Sequence, residues 1–187
     1  GSVGKPLPLT EIQLISDDEQ PVPTGEVGEI WIKSPGVSEG YWQKPEETAK
    51  SFSNGWCKTG DLGMYDEEGF LSIVGRKKDM IRSGGENIYA AEIEDVLYRH
   101  DAVHTASVIA IPDPKYLEAV CAVIVLKENK QTTEEELISF CQKYLAKYKA
   151  PKKVVFIDEI PRTPSGKVKK FELREIYKNV NLKTEEV

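Results

Sequence analysis

The chain has 187 residues, of which 40% are apolar and 30% charged, and it carries a net charge of −6. That length fits one ordinary domain or two small lobes, and no apolar run approaches the roughly 20 residues that a membrane helix needs. The opening Gly1-Ser2-Val3-Gly4 shows no signal-peptide pattern of a basic stretch followed by an apolar one, which says little, since the lack of an initiator Met predicts that Gly1 is not the native start.

Residues 1–77 read as β-structure. Glu11–Ile15 alternates polar and apolar, Glu29–Lys33 is rich in β-formers, and Phe70–Val74 is a third such run. Turn signals separate them: Asp17-Asp18, Pro21-Val22-Pro23, Ser34-Pro35-Gly36, Asn54-Gly55 and Glu68-Gly69. The spacing predicts a small sheet or barrel-like lobe, and Pro45–Lys50 predicts one or two helical turns with Pro at the start.

Residues 78–187 have another rhythm. Ala91–Tyr98 carries Ile93, Val96 and Leu97 at helical spacing. Val103–Ile111 predicts a strand ending at Pro112-Asp113-Pro114, and the unbroken apolar run Val120–Leu126 predicts a buried one. Thr133 followed by Glu136 is a capping box opening a helix with Leu137, Phe140, Cys141, Tyr144 and Leu145 on one face. Lys153–Ile157 predicts a further strand, Leu173, Ile176 and Tyr177 a short last helix, and the tail after Asn179 is expected to fray. The fold class expected is therefore α+β: a β-rich lobe, then a small α/β lobe, divided at Lys77-Lys78-Asp79 into 1–77 and 78–187.

Four segments could carry chemistry. In Lys58-Thr59-Gly60-Asp61, glycine permits a tight turn beside an acceptor-only carboxylate that could take both hydroxyls of a ribose. Gly75-Arg76-Lys77-Lys78-Asp79 follows a strand and offers an Arg fork for ribose or phosphate oxygens. Ser83-Gly84-Gly85-Glu86-Asn87 lets the backbone approach a ligand and runs into the Ala91–Tyr98 helix, whose free N–H groups could favour anions. Pro161-Arg162-Thr163-Pro164-Ser165-Gly166-Lys167 presents Lys167 from a restricted loop, where its ammonium could meet developing negative charge; its Gly-Lys end lacks the upstream glycine of a Walker phosphate loop. Taken singly, each is also an ordinary feature: a turn, a charged linker, a glycine turn, a surface lysine.

Residues 143–178 hold eleven Lys and Arg against four Asp and Glu. That basic end could attract a phosphate-bearing ligand or be a solvated face. Nucleic acid is not the expected partner, because no aromatic-interleaved basic stripe exists and the whole chain is acidic. Cys57, Cys121 and Cys141 show no metal or disulfide spacing, and each reads as a small buried apolar residue in a reducing, cytoplasmic setting. His100 and His104 complete no metal or triad geometry, so no metal site is expected.

Order and spacing together are more specific than any one segment. Gly40-Tyr41-Trp42 with Pro45-Glu46-Glu47-Thr48, then Lys58-Thr59-Gly60-Asp61, then the run Gly75–Tyr89 with Gly84-Gly85-Glu86-Asn87, then Glu92-Ile93-Glu94, then Pro161–Lys167, resembles the adenylate-forming superfamily over nearly the whole chain. That superfamily includes acyl-CoA synthetases, aryl-CoA ligases, peptide-synthetase adenylation domains and luciferases, and the Gly-Gly-Glu-Asn form is most similar to the acyl- and aryl-CoA ligases.

The resemblance implies a two-step reaction: a carboxylate attacks the α-phosphorus of ATP, giving acyl-AMP and pyrophosphate, and the CoA thiol then displaces AMP. It implies that 1–77 is the end of a large N-terminal domain and 78–187 a mobile C-terminal domain that rotates between the steps. By the same resemblance Asp61 holds the ribose hydroxyls, Arg76 helps bind the nucleotide, Lys78 is the hinge and Lys167 bridges carboxylate and α-phosphate. Arg82, Gly84, Gly85 and Glu86 then serve the CoA step. ATP with Mg2+, CoA and a carboxylic acid, a fatty acid first, are the implied substrates, with no tightly bound cofactor. One departure stands out: before Glu118 the family usually has Gly, and here Leu117 occupies that place, a costly residue if φ must be positive. The family's phosphate loop, its Tyr-Gly-x-Thr-Glu segment and its acyl pocket have no counterpart in these 187 residues. The resemblance thus implies a C-terminal piece that needs the rest of the N-terminal domain as partner and is inactive alone. The competing reading is a non-catalytic module that binds a nucleotide or partner through its basic end.

Overall fold

A computed structural model describes residues 1–180 and 182, so that all of the tail expected to fray after Asn179, except Val180 and Leu182, lies outside the described residues. The chain divides into two compact units, Gly1–Lys78 and Asp79–Val187.

The first unit is built on one sheet. Its strands are β1 (Ser2–Gly4), β2 (Glu11–Ile15), β3 (Gly28–Lys33), β4 (Phe52–Ser53), β5 (Trp56–Tyr65) and β6 (Leu71–Arg76), with helix α1 (Pro45–Ser51) before β4. The order is β1-β6-β5-β3-β2, with β4 against β5, and every pairing is antiparallel. The lobe is thus an open sheet, not a closed barrel: β1 and β2 are its two edges. Leu14, Ile30 and Leu71 form its small core, with Ile12, Val22, Ile32 and Tyr65 packed around them. β5 departs from the expected turn at Lys58–Asp61. The segment stays in the sheet as an irregular stretch of strand, because Trp56-Cys57 and Leu62–Tyr65 pair with neighbours on either side of it.

Among its described residues the second unit has a five-stranded mixed sheet and three α-helices. In chain order these are β7 (Met80–Ser83), β8 (Glu86–Tyr89), α2 (Ala90–Leu97), β9 (Val103–Asp113), β10 (Leu117–Leu126), α3 (Glu134–Gln142), β11 (Lys153–Phe156) and α4 (Lys170–Tyr177). β10 is central: it pairs antiparallel with β9 and parallel with β11, and its first residue, Leu117, meets Ser83 of β7. The apolar run of β10 is continuous because both faces are covered. Val120, Ala122 and Ile124 pack with Ile93 and Leu97 of α2 and Leu137 and Cys141 of α3. Ala119, Cys121 and Val123 pack with Ile109, Ile111, Ile160 and Leu173 of α4. The capping box forms as read: Thr133 Oγ1 accepts from the Glu136 amide at 3.2 Å and the Glu136 carboxylate accepts from the Thr133 amide at 2.9 Å.

Two differences bear on function. β7 and β8, unforeseen as strands, form a hairpin whose turn is Gly84-Gly85. The glycines therefore do not open α2, since β8 separates them from its first residue, Ala90. Among the described residues no helix is long and apolar enough to cross a membrane.

Candidate functional site

In the first unit the site begins with a break in the β3–β5 ladder. Glu29 pairs with Leu62 and Trp31 with Lys58, which leaves Thr59, Gly60 and Asp61 opposite the single residue Ile30. Such a bulge re-aims the side chains that follow it. Gly60 makes it possible with φ +72, a conformation costly for any residue with a Cβ. Thr59 Oγ1 donates to the Ile30 carbonyl at 2.8 Å, and the Gly60 amide donates to Glu29 Oε1 at 3.2 Å. The other Glu29 oxygen accepts from Lys77 Nζ at 3.1 Å, and Lys77 also meets Asp17 at 3.0 Å. Burial lowers the Lys77 pKa, but its hydrogen bonds and charge contacts with Asp17 and Glu29 outweigh that and hold it above the ordinary lysine value.

Asp61 leaves this bulge on the side of β6. Its register partner is Arg76, and Asp61 Oδ1 lies 2.6 Å from Arg76 Nε. The Arg76 side chain is 52% exposed and that of Asp61 28%, so a ligand can reach both. An open cleft of about 400 Å³ flanks the bulge, lined by Glu29, Trp31, Lys58, Gly60 and Lys77 but by neither Asp61 nor Arg76. Two of its lysines are engaged with carboxylates, Lys58 with Glu19 at 2.9 Å and Lys77 as above. The acid–base pair, not the cleft, is the better candidate. Lys78 is exposed and is the last residue of this unit, within a 3-10 turn, Lys77–Asp79.

In the second unit two loops present candidate residues. The β7–β8 hairpin turns at Gly84 and Gly85, with φ +61 and +88, so both central residues have the left-handed conformation of a tight two-residue turn. Arg82, Gly84, Gly85 and Glu86 are all exposed along it. Residues 116–118 hold this hairpin: the Gly84 amide donates to the Tyr116 carbonyl at 3.0 Å, Ser83 pairs with Leu117, and the Arg82 amide donates to Glu118 Oε2 at 2.7 Å. Leu117 has φ 73, the positive value its place in the sequence raised.

The second loop carries Lys167. Arg162 and Val168 form an antiparallel bridge that closes it. Within it the Thr163 amide donates to the Lys167 carbonyl at 2.8 Å and the Gly166 amide to the Thr163 carbonyl at 2.8 Å. Arg162 Nη1 donates to the Gly166 carbonyl at 2.9 Å and the Lys167 amide to Thr163 Oγ1 at 3.1 Å. The backbone at Lys167 is therefore fixed while its side chain stands in solvent. α4, which follows, is tied down by Lys170 to Glu94 at 2.7 Å and by an ion pair of Arg174 with Asp79.

The structure brings Asp61 and Arg76 together, and it groups Arg82, Gly84, Gly85 and Glu86 on one hairpin. Glu29, Tyr116 and Lys152 support these sites through contacts across long separations in the chain, and Asp113, in sequence only part of a strand-ending Pro-Asp-Pro, joins them by accepting from Lys152 Nζ as well as from the nearby Lys115 and Tyr116 amides. Among the described residues no group of three or more His, Cys, Asp or Glu could hold a metal ion. His100 is occupied structurally, its Nδ1 accepting from the Ala102 amide at 3.3 Å and its ring edge-on to Phe140.

Comparison with known proteins gives a consistent result. A family described as AMP-binding enzyme matches residues 1–42, and one described as AMP-binding enzyme C-terminal domain matches residues 92–167. A long-chain-fatty-acid–CoA ligase of Escherichia coli O6:H1 is 46% identical over 175 residues, which are 94% of this chain and 31% of that protein. A 2-succinylbenzoate–CoA ligase of a Geobacillus species is 44% identical over 179 residues, 96% of this chain and 36% of that protein. The o-succinylbenzoate CoA synthetase of Bacillus subtilis, solved in complex with its acyl-adenylate intermediate, superposes with a TM-score of 0.87 at 44% identity, covering 93% of this chain and 35% of that one. The chain thus spans about a third of the length of the curated relatives it matches.

Proposed function

The chain belongs to the AMP-binding, adenylate-forming enzymes, matching the C-terminal part of their CoA ligases, and from that premise we propose that the protein it represents is an AMP-forming acid–thiol ligase. In the proposed reaction a carboxylate oxygen attacks the α-phosphorus of Mg-ATP, the bond to the β-phosphate oxygen breaks, and acyl-AMP and pyrophosphate form. The CoA thiol, losing its proton, then attacks the acyl carbon and AMP leaves. A fatty acid is the first candidate substrate, after the E. coli relative, and an aromatic acid the second, after the succinylbenzoate ligases.

The observation that carries the reading is the Asp61–Arg76 pair on its bulge. A carboxylate accepts from two neighbouring hydroxyls, so Asp61 suits the cis-diol of a ribose, while Arg76 orients it and supplies donors to the nucleotide. Lys167 is assigned the adenylation step, where a cation on a fixed backbone stabilises charge building between carboxylate and α-phosphate without reorganising. The Gly84-Gly85 turn, flanked by Arg82 and Glu86, is assigned the CoA step, because a backbone without Cβ atoms lets a narrow thiol arm pass close. Lys78 is assigned the hinge between 1–77 and 78–187, with few residues absorbing the torsional change. Three cysteines without a disulfide fit a reducing, cytoplasmic compartment.

The test is pyrophosphate release by the whole protein with Mg-ATP and a panel of short, medium, long and aromatic carboxylates, beside a Lys167→Ala variant. Release with one acid class, strongly slowed in the variant, is the expected result. No release with any acid, or an unaffected variant, overturns the reading. The 187 residues alone are expected to release none, since they span about a third of the relatives' length.

A further inference from the structure

A Gly-Gly turn is the most permissive two-residue turn available, so its own sequence does not hold it in one place. Here its position is imposed from the β9–β10 connection. Asp113 is buried, with 8% exposure, and its Oδ1 accepts the Lys115 and Tyr116 amides at 2.8 and 2.9 Å. Its Oδ2 accepts from Lys152 Nζ at 3.0 Å. That ammonium sits 3.8 Å from the centre of the Tyr116 ring, a cation–π contact that fixes the ring plane. The Tyr116 ring in turn abuts Gly84: a Cβ added there would meet Tyr116 Cδ1 at 3.1 Å, while the Gly84 amide is bound by the Tyr116 carbonyl. An unbroken chain of contacts therefore runs from Asp113 through Lys152 and the Tyr116 ring to Gly84.

We propose that Tyr116, clamped by Asp113 and Lys152, is a positioning residue for the thioester-forming step, holding the Gly84-Gly85 turn where the CoA thiol arm passes. This rests on the ligase reading above. It touches only the half-reaction assigned to that turn. Lys167 lies on a separate loop whose internal hydrogen bonds involve none of these residues.

The experiment uses the whole protein and measures both half-reactions: carboxylate-dependent pyrophosphate release, and CoA-dependent consumption of supplied acyl-AMP. Tyr116→Ala is expected to slow thioester formation about 10- to 100-fold, the scale of a small misplacement, with adenylation unchanged. Tyr116→Phe keeps the ring and is expected to keep the rate. Lys152→Met keeps the stem but removes the nearer ammonium, leaving Lys115 Nζ at 5.1 Å from the ring, and is expected to lower the same half-reaction by a smaller factor. It carries the test if Tyr116→Ala does not fold. A merely structural role lowers both half-reactions together, and that outcome, or no loss in either variant, overturns the proposal. If the unsubstituted protein releases no pyrophosphate with any acid, the ligase reading itself has failed and this inference falls with it. If it completes both half-reactions and the variants show no split, only the positioning role has failed.

Discussion

Asp61 and Arg76 face each other across the β5–β6 ladder with Oδ1 and Nε 2.6 Å apart, an acid and a base that orient one another before any ligand arrives. An ion pair this exposed contributes little to stability, about 0–1 kcal/mol, so its value is in the geometry of the carboxylate. Asp61→Asn is therefore expected to leave the melting temperature nearly unchanged. Binding of AMP to the whole protein should weaken roughly 10- to 100-fold, as losing hydrogen bonds to a charged acceptor does. Calorimetric titration with AMP beside a thermal melt decides it: a large drop in melting temperature with unchanged AMP affinity would assign the pair to the fold instead.

How much of this was legible depends on the distance over which each signal acts. The Thr133–Glu136 capping box lies within four residues and could be read directly. β10 could be read because an apolar run that long needs cover on both faces, and α2, α3 and α4 supply it. β5 could not: Lys58-Thr59-Gly60-Asp61 has the composition of a turn, and what keeps it in the sheet is Ile30 and Glu29, about thirty residues earlier. The β7–β8 hairpin was hidden because each strand has four residues, of which only Ile81 and Ile88 are buried. Its adjacent glycines were the available clue, since a two-residue turn with two positive φ values favours them. The roles proposed for Asp61, Lys167 and the glycine turn came from family resemblance, while the link of Asp113 and Tyr116 to Lys152 and Gly84 became visible only when the fold had brought them together.

Leu117 carries φ 73 and is 73% exposed as a residue, so it bears backbone strain without burying much apolar surface in return. A left-handed conformation costs a residue with a Cβ about 1–2 kcal/mol, and glycine's extra freedom in the unfolded chain returns about 0.5–1 kcal/mol of that. Leu117→Gly is accordingly expected to stabilise the chain by about 0.5–1 kcal/mol in a urea unfolding curve. A loss of stability would mean that the Leu117 side chain makes contacts worth more than the strain.

Cys121 and Cys141 are fully buried, and burial pushes their thiols up to about 12 and about 11. Cys57, expected from sequence to be buried as well, is half-exposed in β5, and burial raises its thiol less far. Since the thiolate is the reactive form, an alkylating reagent near neutral pH is expected to modify the folded chain at Cys57 alone, and slowly. All three should react in denaturant. Peptide mass mapping reads the result, and rapid labelling of Cys121 or Cys141 in the folded chain would show that the β10 or α3 core opens.

Asp113 offers a pH test of the clamp beneath the glycine turn. Burial alone would raise its pKa, but the hydrogen bond from Lys152, the Tyr116 and Lys115 amides and the Lys152 charge outweigh it, and the folded value lies below the ordinary 3.8. The unfolded chain therefore binds the proton more readily than the folded one. The stabilisation is fully present above about pH 4 and is lost as pH falls through the depressed folded value. Glu19 and Glu136 are lowered as well, by Lys58 and by the Thr133 amide respectively, so total stability falls in acid for several reasons. The contribution of Asp113 is isolated by difference: urea unfolding from pH 6 down to pH 2 should show a shallower acid loss for Asp113→Asn than for the unsubstituted chain. Parallel pH profiles for the two proteins would mean that Asp113 is no more acidic in the fold than in the open chain, and the electrostatic hold of Lys152 on the turn would have to be abandoned.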